Sequence, residues 1–335
     1  MIYSVHLLIK SASNTTIKMN IILLLVGLGL IVLGADWLVD GASAIARRAG
    51  VSEFVIGLTI VGFGTSCPEL VVSLTGAIQG NADIAIGNVV GSNIFNTFFI
   101  LGLTALLMPV TMTEANRKRD IPITLFVSLL LICCGMSRTL FRIGAADSIS
   151  RIEGAIFLLI FIGYLWYCFK FDSKAQTEIE EQKKMKLSLA ILAVAAGLSG
   201  LIFGGELFVD SATALARSIG VSDKFIAITV LAGGTSFPEL ATCIVAAAKH
   251  KDQLALGNIL GSNVFNILLI LGCSSIITPL SFAGMNLVDA SVLVLSCIML
   301  LLWAYTGRKC RIDRLEGALM LLAFAAYYYY LFVKL

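Results

Sequence analysis

Long apolar runs separated by short polar stretches make up most of this chain. A run of about 20 apolar residues has the length of a helix that crosses a bilayer. The pattern predicts ten transmembrane helices, over 20–46, 52–79, 84–108, 120–137, 152–170, 187–216, 222–249, 253–279, 286–306 and 313–333. The runs are continuous and do not alternate between apolar and polar positions, which argues against a transmembrane β-barrel.

Composition agrees with this all-α membrane fold, because 58% of the residues are hydrophobic and only 13% are charged. Soluble domains carry about 25% charged residues. The eight cysteines fall mostly within the runs and show no C-x-x-C spacing, so we expect buried thiols. Residues 1–19 are treated as an N-terminal extension, whose apolar core is too short for a signal peptide.

The distribution of charge predicts an orientation. Most of the 24 Lys and Arg residues fall on the side of the membrane that holds the polar linker 171–186. Loops on the cytoplasmic side of a membrane protein carry an excess of Lys and Arg. We therefore expect a multi-pass protein of the cell (inner) membrane, with a cytoplasmic linker and both termini outside.

The chain contains an internal duplication. Residues 34–60 align without gaps to residues 204–230, and 12 of these 27 positions are identical. Each half, 20–170 and 187–335, holds five predicted helices. An odd number of helices makes the second half enter the membrane from the opposite side, so the halves form inverted repeats, which are typical of secondary transporters.

The most polar groups of the apolar runs recur in both halves. The first half contains "GTSCPELVVS" from Gly64 to Ser73, and the second contains "GTSFPELATC" from Gly234 to Cys243. Pro68 removes a backbone donor and predicts a helix break just before it, with a restart in the next turn. A broken helix in a membrane needs a buried or cavity-lining backbone.

Each motif combines one carboxylate with neutral oxygen donors, a set that suits hard cations such as Ca²⁺ and Na⁺. A two-fold relation would bring Glu69 and Glu239 face to face, where one divalent cation or several monovalent ions would balance their charge. Hydroxyls and carbonyls near each break complete the set, which comprises Thr65, Ser66, Gly62, Thr235, Ser236 and Ala232.

A second repeated motif, "GNVVGSNIFN" (87–96) and "GNILGSNVFN" (257–266), adds four candidate ligands, Ser92, Asn96, Ser262 and Asn266. Each Ser and Asn pair is four residues apart and shares a helical face. The other asparagines of the motif could coordinate an ion, cap broken helices or bond across helices; they are Asn88, Asn93, Asn258 and Asn263. Two further acidic pairs match across the repeats, Asp40 with Asp210 and Asp36 with Glu206, and suggest interfacial or structural roles, or ion entry.

Two other classes of function fit the sequence less well. A passive channel requires weak binding at several sites along a continuous path, whereas two carboxylates that converge on one site favour a carrier. An intramembrane hydrolase would need a base beside Ser66 or Ser236, and neither motif contains a histidine or lysine.

The paired motifs resemble the two α-repeats of the Ca²⁺:cation antiporters, which include the sodium/calcium exchangers, over about residues 20–335. The resemblance implies alternating access, in which the first and sixth helices slide against the other eight. It implies Ca²⁺ and Na⁺ (or H⁺) as transported ligands, no cofactor, no nucleic-acid partner and no enzymatic activity. By motif position it places ion ligands at Thr65, Ser66, Glu69, Ser92, Asn96, Thr235, Ser236, Glu239, Ser262 and Asn266.

One residue departs from that family pattern. Sodium/calcium exchangers commonly carry Asp at the position of Asn266, and potassium-dependent members rely on it. The resemblance therefore implies two carboxylates and not three, favours Na⁺ over K⁺ as the counter-ion, and leaves an H⁺-coupled exchanger as the alternative.

Overall fold

The computed structural model describes residues 2–171, 185–220, 232–306 and 310–334. In this part of the chain the main helices are α1 (Ile2–Ala49), α2 (Glu53–Thr65), α3 (Cys67–Ile78), α4 (Ala82–Leu107), α5 (Ile121–Gly135), α6 (Ser137–Phe141), α7 (Arg151–Lys170), α8 (Leu187–Ser218), α9 (Phe237–Ala248), α10 (Asp252–Ile277), α11 (Leu287–Thr306) and α12 (Arg314–Lys334). Four two-residue strands connect them: β1 (Val110–Thr111), β2 (Ser148–Ile149), β3 (Leu280–Ser281) and β4 (Arg311–Ile312).

The membrane fold is confirmed, because seven of the described helices are long and apolar enough to cross a bilayer, or eight if α2 and α3 form one bent span. Two of the ten predicted spans are not among these helices. The fourth corresponds to α5, which continues directly from a π-helical turn at Asn116–Asp120 that carries Arg117, Lys118 and Arg119. The seventh contains α9, which has 12 residues, and positions 222–231 of that predicted span lie outside the described residues.

The predicted break in the second span is confirmed. Helix α2 ends at Thr65, α3 begins at Cys67, and the two are bent by 51°. Pro68 lies in the first turn of α3, where its missing N–H costs no helical hydrogen bond. The break therefore lies immediately before the glutamate of the motif.

The core is built around α4 and α10, the two helices that carry the Gly-Ser-Asn motifs. The most apolar window of α10 is 94% buried and that of α4 is 78% buried, against 28% for α1 and α8. Glycines allow α10 to lie against α2, since a Cβ on Gly257 would come 2.2 Å from the carbonyl oxygen of Phe54. The polar motifs thus lie at the centre of the protein.

Helices α1 and α8 cross through glycines. A Cβ on Gly27 would come within 2.9 Å of the carbonyl oxygen of Gly204, and one on Gly34 within 2.8 Å of that of Gly197. The two contacts are exchanged by a shift of 170 residues, because Gly27 matches Gly197 and Gly34 matches Gly204. Contacts that interchange in this way are expected of a two-fold axis between the repeats.

Short antiparallel strand pairs join the loops. Strand β1 pairs with β4, with Val110 opposite Ile312, and β2 pairs with β3, with Ile149 opposite Leu280. Each pair fixes the end of a helix in one half of the chain against a loop of the other half.

Candidate ion-binding site

The two helix breaks place one serine and one glutamate at the start of α3 and of α9. Ser66 and Ser236 are the N-cap residues, and Glu69 and Glu239 lie in the first turns. A carboxylate is favoured there by the unpaired N–H groups of the helix start. Neither serine hydroxyl caps its own helix, although that is the usual role of an N-cap serine.

Instead, each serine hydroxyl bonds to the glutamate of the other half. Ser66 Oγ donates to Glu239 Oε1 at 2.9 Å, and Ser236 Oγ donates to Glu69 Oε1 at 3.0 Å. The glutamates and serines are at most 1% exposed. The predicted approach of the two motifs is therefore seen directly, and each carboxylate is held by a residue about 170 positions away.

Several oxygens of this region are buried without a hydrogen-bond partner among the described residues. They are Glu69 Oε2, Glu239 Oε2, Ser92 Oγ, Asn96 Oδ1, Thr235 Oγ1 and Asn266 Oδ1. Leaving such atoms unpaired is costly, and buried oxygens that lack protein donors are suited to bind cations. All six belong to residues that the sequence motifs predict as ligands.

The second motif forms its own cross-repeat pairs. Asn96 Nδ2 donates to Asn263 Oδ1 at 3.2 Å, and Asn266 Nδ2 donates to Asn93 Oδ1 at 3.0 Å. Among the described residues, no hydrogen bond joins these asparagines to either glutamate. Asn93 and Asn263 therefore bond across helices, one of the alternatives left open by the sequence, and hold the amides of Asn96 and Asn266.

The two halves of the site differ in detail. Ser262 Oγ lies 3.0 Å from Ser66 Oγ and 3.4 Å from Glu239 Oε1, whereas its counterpart Ser92 has no hydrogen-bond partner among the described residues. Thr65 Oγ1 donates to Asn258 Oδ1 at 3.1 Å, whereas Thr235 Oγ1 has no such bond in the described part. Glu239 is thus more enclosed by hydroxyls than Glu69.

The remaining asparagines support the broken helices. Asn88 Nδ2 donates to the carbonyl oxygen of Glu69 at 3.1 Å, and Asn258 Nδ2 donates to Cys243 Sγ at 3.3 Å. Of the two predicted backbone ligands, the Gly62 carbonyl lies 3.4 Å from Ser262 Oγ. Ala232 lies in the helical segment Ala232–Gly234, just before the second break.

The donor set of these side chains suits a hard cation. It offers two carboxylates and neutral oxygens, and the described residues contain no group of three or more His, Cys, Asp or Glu side chains that could hold a metal. Oxygen donors with few charges suit Ca²⁺ and Na⁺ rather than soft metals.

One contact between the halves of the chain was missed by the sequence reasoning. Lys249, at the end of α9, lies 2.7 Å from a carboxylate oxygen of Asp36 and 2.7 Å from one of Asp40. Burial opposes the charge on Lys249, but hydrogen bonds to both aspartates outweigh it and raise the pKa of its amine. The four-residue spacing of Asp36 and Asp40 was the available signal, and the contact supports their structural role.

Comparison with known proteins gives the family. The chain matches the sodium/calcium exchanger protein family over residues 19–170 and 189–333. It is 40% identical to CaxA of Alkalimonas amylolytica over 324 residues, which cover 93% of this chain and 98% of CaxA. It is 34% identical to the sodium/calcium exchanger MaX1 of Methanosarcina acetivorans over 350 residues, which cover 94% of this chain and 99% of MaX1.

A solved structure has the same fold. The sodium-calcium exchanger NCX_Mj superposes with a TM-score of 0.78 at 33% identity, over 92% of this chain and 97% of that one. The repeated motifs and the cross-repeat contacts are consistent with the family that these matches give. The chain is a multi-pass membrane antiporter that belongs to the sodium/calcium exchanger family.

Proposed function

We propose that this protein exchanges Ca²⁺ for Na⁺ by alternating access, with the ions bound midway between two inverted five-helix repeats. The reciprocal hydrogen bonds Ser66–Glu239 and Ser236–Glu69 carry this proposal. They bring two buried carboxylates from opposite halves to one place, where one Ca²⁺ or a small number of Na⁺ ions would compensate their charge.

The unpartnered oxygens support the ligand assignment. We assign the ions to the two glutamates together with Thr65, Ser66, Ser92, Asn96, Thr235, Ser236, Ser262 and Asn266. A cation bound there would satisfy atoms that otherwise lack a partner, such as Glu69 Oε2 and Glu239 Oε2. The same oxygens serve Ca²⁺ and Na⁺ in turn, so occupation by one excludes the other.

The glycine crossing of α1 and α8 supports a sliding mechanism. The two helices meet backbone to backbone at Gly27 with Gly204 and at Gly34 with Gly197. Side chains of α8 border both breaks, because a Cβ on Gly64 would meet Leu198 and one on Gly234 would meet Val209. In our proposal α1 and α8 move together past the helices that hold the site and expose it to each side alternately.

The proposed topology has ten spans, with residues 20–170 and 187–335 as the two repeats and residues 1–19 as an N-terminal extension. The linker 171–186 faces the cytoplasm and both termini lie outside, in the cell (inner) membrane. The contacts exchanged by the 170-residue shift support the two repeats, and the distribution of Lys and Arg supports the orientation.

An H⁺-coupled exchanger of Ca²⁺ or another divalent ion is the second candidate. It is favoured by Asn266, which leaves the site with two carboxylates where sodium/calcium exchangers commonly have three. Two glutamates suffice for Ca²⁺, and protons could replace Na⁺ as the exchanged ion.

Uptake of ⁴⁵Ca²⁺ by proteoliposomes separates these candidates. Vesicles of the purified protein are loaded with Na⁺ or given a pH gradient, and the Glu69→Gln variant serves as the matched inactive control. Uptake that needs internal Na⁺, and stops when Na⁺ is equal on both sides, supports Na⁺ coupling. Uptake driven by the pH gradient without Na⁺ would establish the second candidate, and uptake with neither gradient, beyond self-exchange, would overturn the antiporter mechanism.

A further inference from the structure

Asparagines of α4 and α10 form a directed hydrogen-bond chain that ends at Asn266. Asn93 Nδ2 donates to the main-chain carbonyl oxygen of Asn263 at 3.0 Å. Asn266 Nδ2 in turn donates to Asn93 Oδ1 at 3.0 Å. All three residues are 1% exposed, so water does not compete for these bonds.

The carbonyl at the start of this chain fixes its direction. A main-chain carbonyl can only accept a hydrogen bond. The NH₂ group of Asn93 must therefore face Asn263, which turns its Oδ1 toward Asn266. Asn266 must then present its own NH₂ group to Asn93. Reversing either amide would set two acceptors against each other in a buried place, where an unmade bond carries its full desolvation cost.

The consequence is that Asn266 Oδ1 points away from Asn93. That oxygen is buried and has no hydrogen-bond partner among the described residues. The direction of the hydrogen bonds therefore leaves Asn266 with a buried oxygen that a cation could satisfy.

The corresponding hydrogen bonds of Asn96 and Asn263 do not end at a main-chain carbonyl. Asn96 Nδ2 donates to Asn263 Oδ1, and Asn263 Nδ2 donates to Thr97 Oγ1 at 2.8 Å. A hydroxyl can accept or donate, so these hydrogen bonds could reverse without an acceptor clash at Thr97. The residue 170 positions after Thr97 is Ile267, so the second half has no such hydroxyl.

We propose that Asn93 is a positioning residue that fixes Asn266 as an oxygen ligand, and that its need for a hydrogen donor at position 266 selects Asn there over Asp. The inference rests on the proposed function, because it takes Asn266 as an ion ligand. A carboxylate at position 266 would offer only acceptors to Asn93 Oδ1. The presence of Asn at position 266, where the family commonly has Asp, is thus explained by the oxygen that Asn93 turns toward it.

A double-mutant cycle on Ca²⁺ transport tests this role. Initial ⁴⁵Ca²⁺ uptake is measured against external Ca²⁺ for the unsubstituted protein, Asn93→Leu, Asn266→Ala and the double variant. Asn93→Leu should raise the KM for Ca²⁺ about ten-fold, as expected for one lost buried hydrogen bond, with a much smaller change in maximal rate. In the Asn266→Ala background the same substitution should have little further effect.

Two further variants sharpen the test. Thr97→Ile places in the first half the residue found at the matching position of the second half. It removes only the acceptor of the Asn263 side chain, so its effect on the KM should add to that of Asn266→Ala. Asn266→Asp should raise the KM for Ca²⁺ although it adds a negative charge, and Asn93→Leu should relieve this increase by removing the opposing acceptor. All variants are first required to match the unsubstituted protein in size-exclusion elution.

The outcomes separate the inference from the function on which it rests. An unchanged KM in Asn93→Leu, or effects of Asn93→Leu and Asn266→Ala that add, would overturn the positioning role while Ca²⁺ uptake continues. A KM lowered by Asn266→Asp would overturn the selection of Asn. No Ca²⁺ uptake by the unsubstituted protein would overturn the proposed function, and with it the ligand role of Asn266.

Discussion

Ser66 donates a hydrogen bond to Glu239 across the two halves of the chain, at 2.9 Å. Its counterpart Ser236 donates to Glu69 at 3.0 Å. Both serines begin a helix whose own N-terminus they do not cap with their side chains. The hydroxyls are therefore available to orient a carboxylate, and each carboxylate keeps a second oxygen that has no partner in the described part of the chain.

Glu69→Gln and Glu239→Gln should each abolish Ca²⁺ uptake, because either change leaves one carboxylate to balance two positive charges. The amide has the same shape, so we expect the proteins to fold. Uptake of ⁴⁵Ca²⁺ and size-exclusion elution are the measurements. Substantial Ca²⁺ transport by either variant would contradict a site shared by the two glutamates.

Ser66→Ala should raise the KM for Ca²⁺ more than Ser236→Ala, since Ser66 also lies 3.0 Å from Ser262. Loss of a hydrogen bond to a charged group costs about 1.5–3 kcal/mol, so each effect should be roughly ten-fold or more. Ser199→Ala is the matched control, because its hydroxyl donates only to the Ala195 carbonyl on an exposed face of α8. Equal effects of Ser66→Ala and Ser236→Ala would argue against the asymmetry.

Gly34→Ala should destabilise the protein by about 1–3 kcal/mol, because the added Cβ would lie 2.8 Å from the Gly197 carbonyl oxygen and from the Leu201 nitrogen. Gly29→Ala on the same helix has open space around its Cβ and should be neutral or slightly stabilising. Thermal unfolding in detergent measures both. A similar melting temperature for the two variants would contradict close backbone contact between α1 and α8.

Lys249→Met should lower stability by about 0.5–1 kcal/mol at neutral pH, through the loss of the ion pairs to Asp36 and Asp40. The estimate is small because the aspartate side chains are 47% exposed and solvent screens the pairs. The pKa of Lys249 is raised in the folded protein. Its contribution is therefore complete below the ordinary lysine pKa of about 10.4 and is lost only as the pH rises through the higher folded value.

The pH series provides the control for that prediction. The difference in melting temperature between the unsubstituted protein and Lys249→Met should stay constant from pH 6 to about pH 9 and shrink only at higher pH. A difference that disappears near neutral pH would show that another group is responsible.

Much of the site could be predicted from the sequence because its chemistry is local. Pro68 and the duplicated glutamates specify a broken helix and a buried charge, and both lie where the motifs indicate. The resemblance of the motifs also gave the family correctly. Each motif spans ten residues, 64–73 and 234–243, so its helix break and its glutamate can be recognised from a short stretch of sequence.

The rest depends on contacts between distant residues. The sequence allowed Asn93 and Asn263 to be ligands, caps or cross-helix donors, and only the packing of α4 against α10 decides among these roles. The contact of Lys249 with Asp36 and Asp40 joins residues more than 200 positions apart.

Each half supplies the serine hydroxyl that orients the glutamate of the other half, and this has a consequence for how the protein can be assembled. Neither half contains a complete set of partners for its own glutamate, because each carboxylate is oriented by a serine from the other half. Expressed alone, a half would carry an orphaned acidic group in a lipid environment. If the chain is divided at the linker, the two halves should therefore transport ions only when they are produced together and assemble as an obligate heterodimer.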